Sequence, residues 1–385
     1  MKKALSMILT LVVIFTLSVG ISAQELTIGE SHKSGKYILS NPVPEDVIQY
    51  AKEQFNDLDI AWADAMGLNN KASELKLGSG FDITLYTTGE STGIYYFPIL
   101  YRGQIEKFLA VITNDGDYHT QSGYGYLAAP INNLNLDLEH AVQIVASDDA
   151  IYAVDSQHNV EVLFQEVLGN YEKVEEQVQT LSQPVSAILD ELETVDITEI
   201  IGSSIDTVYS LSEIEEKATS KRLGVAFLDN RTVEKKGVCW AATAASCIDF
   251  YEDGKANTTH AQSLMDELIQ DRIENSGSTA TSISDIVSYV ESYCPNLTAS
   301  STTKLTFADT KPYIDKKYPL YTRWLRTTDN AGHAIVLCGY KTGSKDEMYL
   351  MDSNYTDEYQ VCTFGENYQT PGTSKFKWSR TLTIK

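Results

Sequence analysis

The chain has 385 residues, 43% of them hydrophobic, and a formal net charge of −23. That apolar content excludes a disordered protein, the charge excludes nucleic acid and anionic membrane as partners by like-charge repulsion, and the length exceeds what one core fills, so two domains are expected. The acidity is uneven: residues 24–220 hold 9 Lys and Arg against 33 Asp and Glu, whereas residues 221–385 hold 19 against 20.

Lys2 and Lys3 precede an apolar stretch over 4–19 and the small residues Gly20, Ser22 and Ala23. This order of charge, apolar core and small residues predicts a signal peptide over 1–23, cut near Ala23. No later stretch reaches the roughly 20 apolar residues of a membrane span. The expected product is secreted, with no membrane contact after cleavage.

Over 42–65, Val47, Ala51, Phe55, Ile60 and Trp62 recur at helical spacing behind the helix-start signal Pro44-Glu45-Asp46. Segments 81–86, 93–101 and 107–112 alternate as strands, separated by turn signals at Thr88-Gly89 and Asn114-Asp115-Gly116, and predict an antiparallel meander. The spacing over 136–154, with Asn135 as cap, predicts a second helix, and 158–168 a final strand or short helix. These elements make an acidic, β-rich α+β domain over 24–168. Residues 169–220 are acidic and rich in Ser and Thr with only modest apolar periodicity, and read as helical fragments within a linker. The linker ends in Thr219-Ser220-Lys221-Arg222, where a basic pair after a long acidic run fits either an exposed processing site or an ordinary solvated linker end.

All five cysteines, Cys239, Cys247, Cys294, Cys338 and Cys362, fall in the near-neutral part. The odd count leaves at least one thiol unpaired in an exported chain. For the last four, small buried side chains are the preferred reading. No Cys or His spacing suggests zinc, and no metal or organic cofactor is expected.

In Lys235-Lys236-Gly237-Val238-Cys239-Trp240-Ala241-Ala242, a glycine turn leads into an Ala-rich helix on which Trp240, Ala244, Cys247 and Ile248 share a face. Cys239 therefore opens a helix, where unpaired N–H groups and the dipole favour the thiolate. A cysteine so placed needs a base. His333 stands at the mouth of the apolar strand 332–340, after the strand 318–324 and a polar loop, where an imidazole can take the thiol's proton. Beyond the turn Thr342-Gly343-Ser344, strand 347–351 delivers Asp352-Ser353-Asn354 to its end. Asp352, or alternatively Asn354, then orients the ring; without the other two residues the same triplet would read as a solvated turn. His260 sits among Asn257-Thr258-Thr259, a helix cap, and reads as a surface residue.

In this order the residues Cys239-Trp240-Ala241-Ala242, His333-Ala334 with its apolar strand and Gly339-Tyr340, and Tyr349-Leu350-Met351-Asp352 resemble the papain-like cysteine peptidase superfamily. The likeness is greatest to compact bacterial forms of the staphopain, streptopain and C39-like types. The resemblance implies a catalytic domain over 221–385, with a helix bearing Cys239 packed on an antiparallel sheet bearing His333. It further implies that Cys239 attacks the scissile carbonyl and His333 serves as base and then acid. The acidic upstream domain resembles a propeptide that blocks the cleft. Family members carry a glutamine shortly before the cysteine to stabilise the oxyanion; the corresponding position here is Val233, next to Glu234, and Asn230 is the candidate replacement.

The expectation is thus a secreted cysteine peptidase made as a zymogen, with a protein or peptide substrate and its own pro-domain as inhibitor. Two rivals share the scaffold: a cysteine-dependent acyltransferase, and a secreted binding or inhibitory protein on a degenerate peptidase fold. Trp324, Tyr355, Tyr359, Phe364 and Tyr368 are candidate cleft linings that read more simply as packing residues.

Overall fold

The architecture follows from two stretches of strand-forming sequence joined through one strand pair. The structure is a computed structural model, and it describes residues 36–56, 63, 67–68, 71–114, 116–134, 141–147, 150–155, 159–165, 192–204, 220–230, 237–343, 345–355, 358–370 and 372–385. These fall in one unit, Gly35–Lys385. The expected signal peptide, Ile60, Trp62 and the segment Val233-Glu234-Lys235-Lys236 lie outside the described residues.

The N-terminal part runs β1 (Tyr37–Ser40), α1 (Glu45–Asn56), β2 (Leu75–Gly78), β3 (Phe81–Leu85), β4 (Ser91–Tyr101), β5 (Gln104–Asn114), β6 (Asp117–Gly123), α2 (Gly125–Asn133), β7 (Val142–Ala146), β8 (Ala150–Asp155), β9 (Val160–Gln165), β10 (Glu193–Asp196) and β11 (Ile200–Ser204). The meander is present as β3 to β6, each strand antiparallel to the next. Val47, Ala51 and Phe55 form the buried face of α1, as their spacing predicts.

Two expectations are corrected here. The helix expected over 136–154 is instead the antiparallel pair β7 and β8, with Asn135 outside the described residues. Every residue of β7 and nearly every one of β8 is buried, so both faces are apolar, and such a run mimics helical periodicity. The linker expected over 169–220 contributes two strands, with β10 pairing β1 and β11 pairing β2. Their side chains are mostly exposed or half-buried and their backbones carry the pairing, which leaves no apolar pattern to read.

The C-terminal part runs β12 (Ser220–Arg222), α3 (Cys239–Asp253), α4 (Thr258–Ser276), α5 (Ile283–Tyr293), β13 (Ala299–Thr303), α6 (Phe307–Asp315), β14 (Leu320–Arg326), β15 (Gly332–Lys341), β16 (Glu347–Met351), β17 (Gln360–Thr363), β18 (Tyr368–Gln369) and β19 (Lys375–Ile384). Antiparallel pairing orders β13, β19, β14, β15, β16 and β17, with β12 also on β15. The helix α3 is buried from Cys239 through Phe250, because its Ala-rich surface lets the strands β14 and β15 and the helices α4 and α5 approach closely. Gly254, left-handed at φ 66°, closes it by returning its N–H to the Phe250 carbonyl.

The reading of Lys221-Arg222 as an exposed processing site is also corrected. Both lie in β12, paired with Tyr340 and Gly339. Lys221 Nζ reaches the Asp315 carbonyl at 2.8 Å, and the Arg222 guanidinium lies 4.6 Å from the centroid of the Tyr359 ring.

The two parts join where β6 pairs antiparallel with β17, Ser122 opposite Val361 and Gln121 opposite Cys362. One buried apolar cluster runs across the junction.

Candidate active site

Cys239 is the first residue of α3, preceded by Gly237 in a left-handed conformation at φ 71°. A glycine takes that conformation without the clash a Cβ would bring, and it turns the chain sharply into the helix. Val238, the cap residue, offers no side-chain hydrogen bond, so no side chain of the cap residue satisfies the first N–H groups of α3. Trp240 fixes the start by donating its indole N–H to the Thr279 carbonyl at 2.9 Å. Cys239 is 6% exposed.

His333 is the second residue of β15 and lies opposite Trp324 of β14. Its Nε2 is 2.9 Å from Asp352 Oδ1, with both side chains fully buried. Asp352 directly follows β16, and because β16 pairs with β15 the strand end meets the strand mouth. Asp352 Oδ1 also accepts the Asn354 backbone N–H at 3.0 Å, and Oδ2 accepts the Tyr368 hydroxyl at 2.9 Å. The Phe376 ring lies 5.5 Å from the imidazole.

Burial opposes a charge on the His333 ring, but the Asp352 carboxylate and the Cys239 side chain outweigh it, and the ring's pKa stands well above its ordinary 6.5. The Cys239 side chain lies close enough to the imidazole to raise the ring's pKa both through hydrogen bonding and through charge.

Asn354 is buried with its side-chain amide unpartnered, and only its backbone N–H reaches Asp352. The carboxylate on the ring is therefore that of Asp352. Asn230 is also buried, donates its backbone N–H to the Ser353 carbonyl at 3.1 Å, and has an unpartnered Oδ1. It is thus tied to the turn that carries Asp352. His260 is set apart from this site: its ring, 41% exposed, pairs with buried Asp249 at 2.9 Å, and Asn257 caps α4 by accepting its N–H. Among the described residues no group of three or more His, Cys, Asp or Glu could hold a metal.

A family model for the Peptidase_C39 like family matches residues 223–376, and one for the staphopain proregion matches residues 36–196. Together the two matches support assigning the chain to the papain-like cysteine peptidase superfamily. No curated protein matches it. The two matches divide the chain into a proregion and a peptidase part, which touch at β17, at the loop before it and at β18, among other places.

That contact is polar as well as apolar. Glu358, buried in the peptidase part, accepts the Gly125 N–H at the start of α2 at 2.9 Å and pairs with Lys107 of β5. Gln121 and Gln369 exchange two bonds, Gln121 Nε2 to the Gln369 carbonyl at 2.7 Å and the Gln369 N–H to Gln121 Oε1 at 3.0 Å. Tyr126 stacks on Tyr355 with ring centroids 4.5 Å apart, three residues beyond Asp352. Of the expected cleft linings, Trp324, Tyr355 and Tyr368 are buried packing residues in this full-length chain. Sequence reading missed Glu358 and the bond from Tyr368 to Asp352; neither carries a local signal, since each is defined by a partner distant along the chain. All five cysteines are free and buried.

Proposed function

We propose that the protein is an exported cysteine peptidase made as a latent precursor, acting through Cys239, His333 and Asp352. The observation that carries this reading is the buried His333–Asp352 pair at 2.9 Å, set beside the thiol that opens α3 and favouring a charged ring. The Cys239 thiolate attacks the scissile carbonyl carbon, and the resulting oxyanion takes hydrogen bonds from the Cys239 N–H and the Asn230 side-chain amide. The C–N bond then breaks as the imidazolium gives its proton to the leaving amine. Water, deprotonated by His333, hydrolyses the acyl-enzyme and restores the thiolate. Asp352 holds the ring's tautomer and orientation throughout. The chemistry uses no metal and no organic cofactor.

The proregion supplies latency in this reading. It covers the strand end beyond Asp352 with Tyr126, and the low exposure of Cys239 in the full-length chain supports a closed site. The signal peptide falls over 1–23, the pro-domain extends from 24 through β11 rather than stopping at 168, and the peptidase domain occupies 221–385 together with Ser220 of β12. Secretion follows from the signal-peptide pattern.

The test uses the full chain, opened by limited proteolysis in reducing buffer, against a fluorescently labelled protein substrate, beside its Cys239→Ala counterpart processed alike. Hydrolysis that disappears in the variant is the expected result. Equal, negligible signals from two folded, processed proteins would sink the reading and favour a binding protein on a peptidase scaffold.

A further inference from the structure

We infer that Tyr368 is a positioning residue for the reaction, acting through Asp352 to hold His333 in place. This rests on the peptidase reading above. The geometry assigns it on three counts.

First, Asp352 is a fully buried carboxylate, and a buried charge persists only when each oxygen is held by donors. Oδ1 is shared between the His333 ring and the Asn354 N–H, at 2.9 and 3.0 Å, whereas Oδ2 is held by the Tyr368 hydroxyl at 2.9 Å. Without that hydroxyl the carboxylate is fixed at one oxygen only, and rotation about its last bond would carry Oδ1 off the ring.

Second, Tyr368 is itself immobile. It lies in β18, paired opposite Phe376 of β19, and its ring sits 5.9 Å from that of Trp324. Trp324 lies opposite His333, and the Phe376 ring lies against the imidazole. One short strand pair thus brackets the ion pair, with Phe376 at the ring and Tyr368 at the carboxylate.

Third, Tyr368 works as a donor. Burial first, then the negative charge of Asp352, and with them the proregion phenols of Tyr124 and Tyr126, push its own pKa well above the ordinary 10. The hydroxyl therefore keeps its proton over the working range and always donates. The titratable groups facing this arrangement are Asp352 and Cys239 at the imidazole, and Asp352, Tyr124 and Tyr126 at Tyr368.

The test follows the histidine rings by NMR on the full chain labelled at histidine, with the His333 signal identified by its loss in His333→Gln. In the unaltered protein the His333 midpoint is expected well above the ordinary value. In Tyr368→Phe it should fall by about one pH unit, a tenfold change in the ratio of the two ring states. In Asp352→Asn it should fall further, and adding Tyr368→Phe to that background should change nothing, because a residue acting through Asp352 has nothing left to hold. His119 of β6, whose pKa burial keeps below 6.5, reports whether each variant is folded. A Tyr368→Phe midpoint that stays put or rises overturns the proposal, as does an equal fall in both backgrounds, and the single variant decides by itself should the double variant lose the His119 signal. A His333 that titrates near its ordinary value in the unaltered protein would instead sink the dyad on which the peptidase reading stands.

Discussion

Two side chains at the site have separable tasks, and substitution tells them apart. Asp352→Asn keeps the size of the side chain but removes the negative charge that faces Nε2 of His333; kcat is expected to fall on the order of 100-fold with KM nearly unchanged, as loss of an oriented base requires. In the proposed mechanism Asn230 is an oxyanion donor, so Asn230→Ala should cost about 100- to 1000-fold in kcat, again with little effect on KM. A rise in KM alone, with kcat unchanged, would place Asn230 in substrate binding instead. The raised pKa of His333 has a sign that can be worked through to stability. A group whose folded pKa lies above its unfolded value contributes fully below the unfolded value, near 6.5, and loses that contribution as pH rises through the folded value. Melting temperatures of the unaltered protein should therefore decline, as pH rises above about 6.5, more steeply than those of His333→Gln.

Elements set these residues in register, and Gly123 shows how closely they fit. It ends β6 at φ 131°, and a Cβ there would lie 2.6 Å from Gln360 Oε1 of β17. Gly123→Ala is expected to destabilise the full chain by about 1–3 kcal/mol through that overlap and the backbone strain, and to raise the activity of the uncut protein. Unchanged melting and unchanged latency would show that the strand pair tolerates the methyl group. The elements bearing Cys239, His333 and Asp352 were legible because each is bounded by short-range punctuation: Gly237 before α3, the loop before β15, the Thr342-Gly343 turn before β16. Where both faces of a strand pair are buried, as in β7 and β8, sequence spacing could not separate strand from helix. In β10 and β11 the pairing is carried by backbone while the side chains stay largely solvated, so an acidic stretch concealed two strands. The choice between Asp352 and Asn354 was not legible either, since both leave the same strand and only the tertiary pairing of β15 with β16 decides which side chain meets the ring.

At the scale of the whole molecule, the proregion and the peptidase part share one core and an ion pair whose carboxylate, that of Glu358, is buried and whose Lys107 is half-buried. Glu358 sits at the N-terminus of α2, where the helix dipole and the Gly125 N–H favour its charge, and Lys107 neutralises it. Removing one partner of such a pair leaves the other buried and uncompensated, at a cost of about 3–5 kcal/mol. Lys107→Met should accordingly lower the denaturant midpoint of the full chain and shorten the lag before activity appears during proteolytic opening. A lag that persists unchanged would assign latency to the aromatic and glutamine contacts alone.

The strand β12 also determines where a finished enzyme can begin. Ser220, Lys221 and Arg222 are hydrogen-bonded along β15, the strand that carries His333, and Lys221 is tethered to the Asp315 carbonyl at the end of α6. An activating protease that trims the chain stepwise would be halted by this woven segment. Amino-terminal sequencing of the ripened product should then read a first residue at or before position 220, with Lys221 and Arg222 retained.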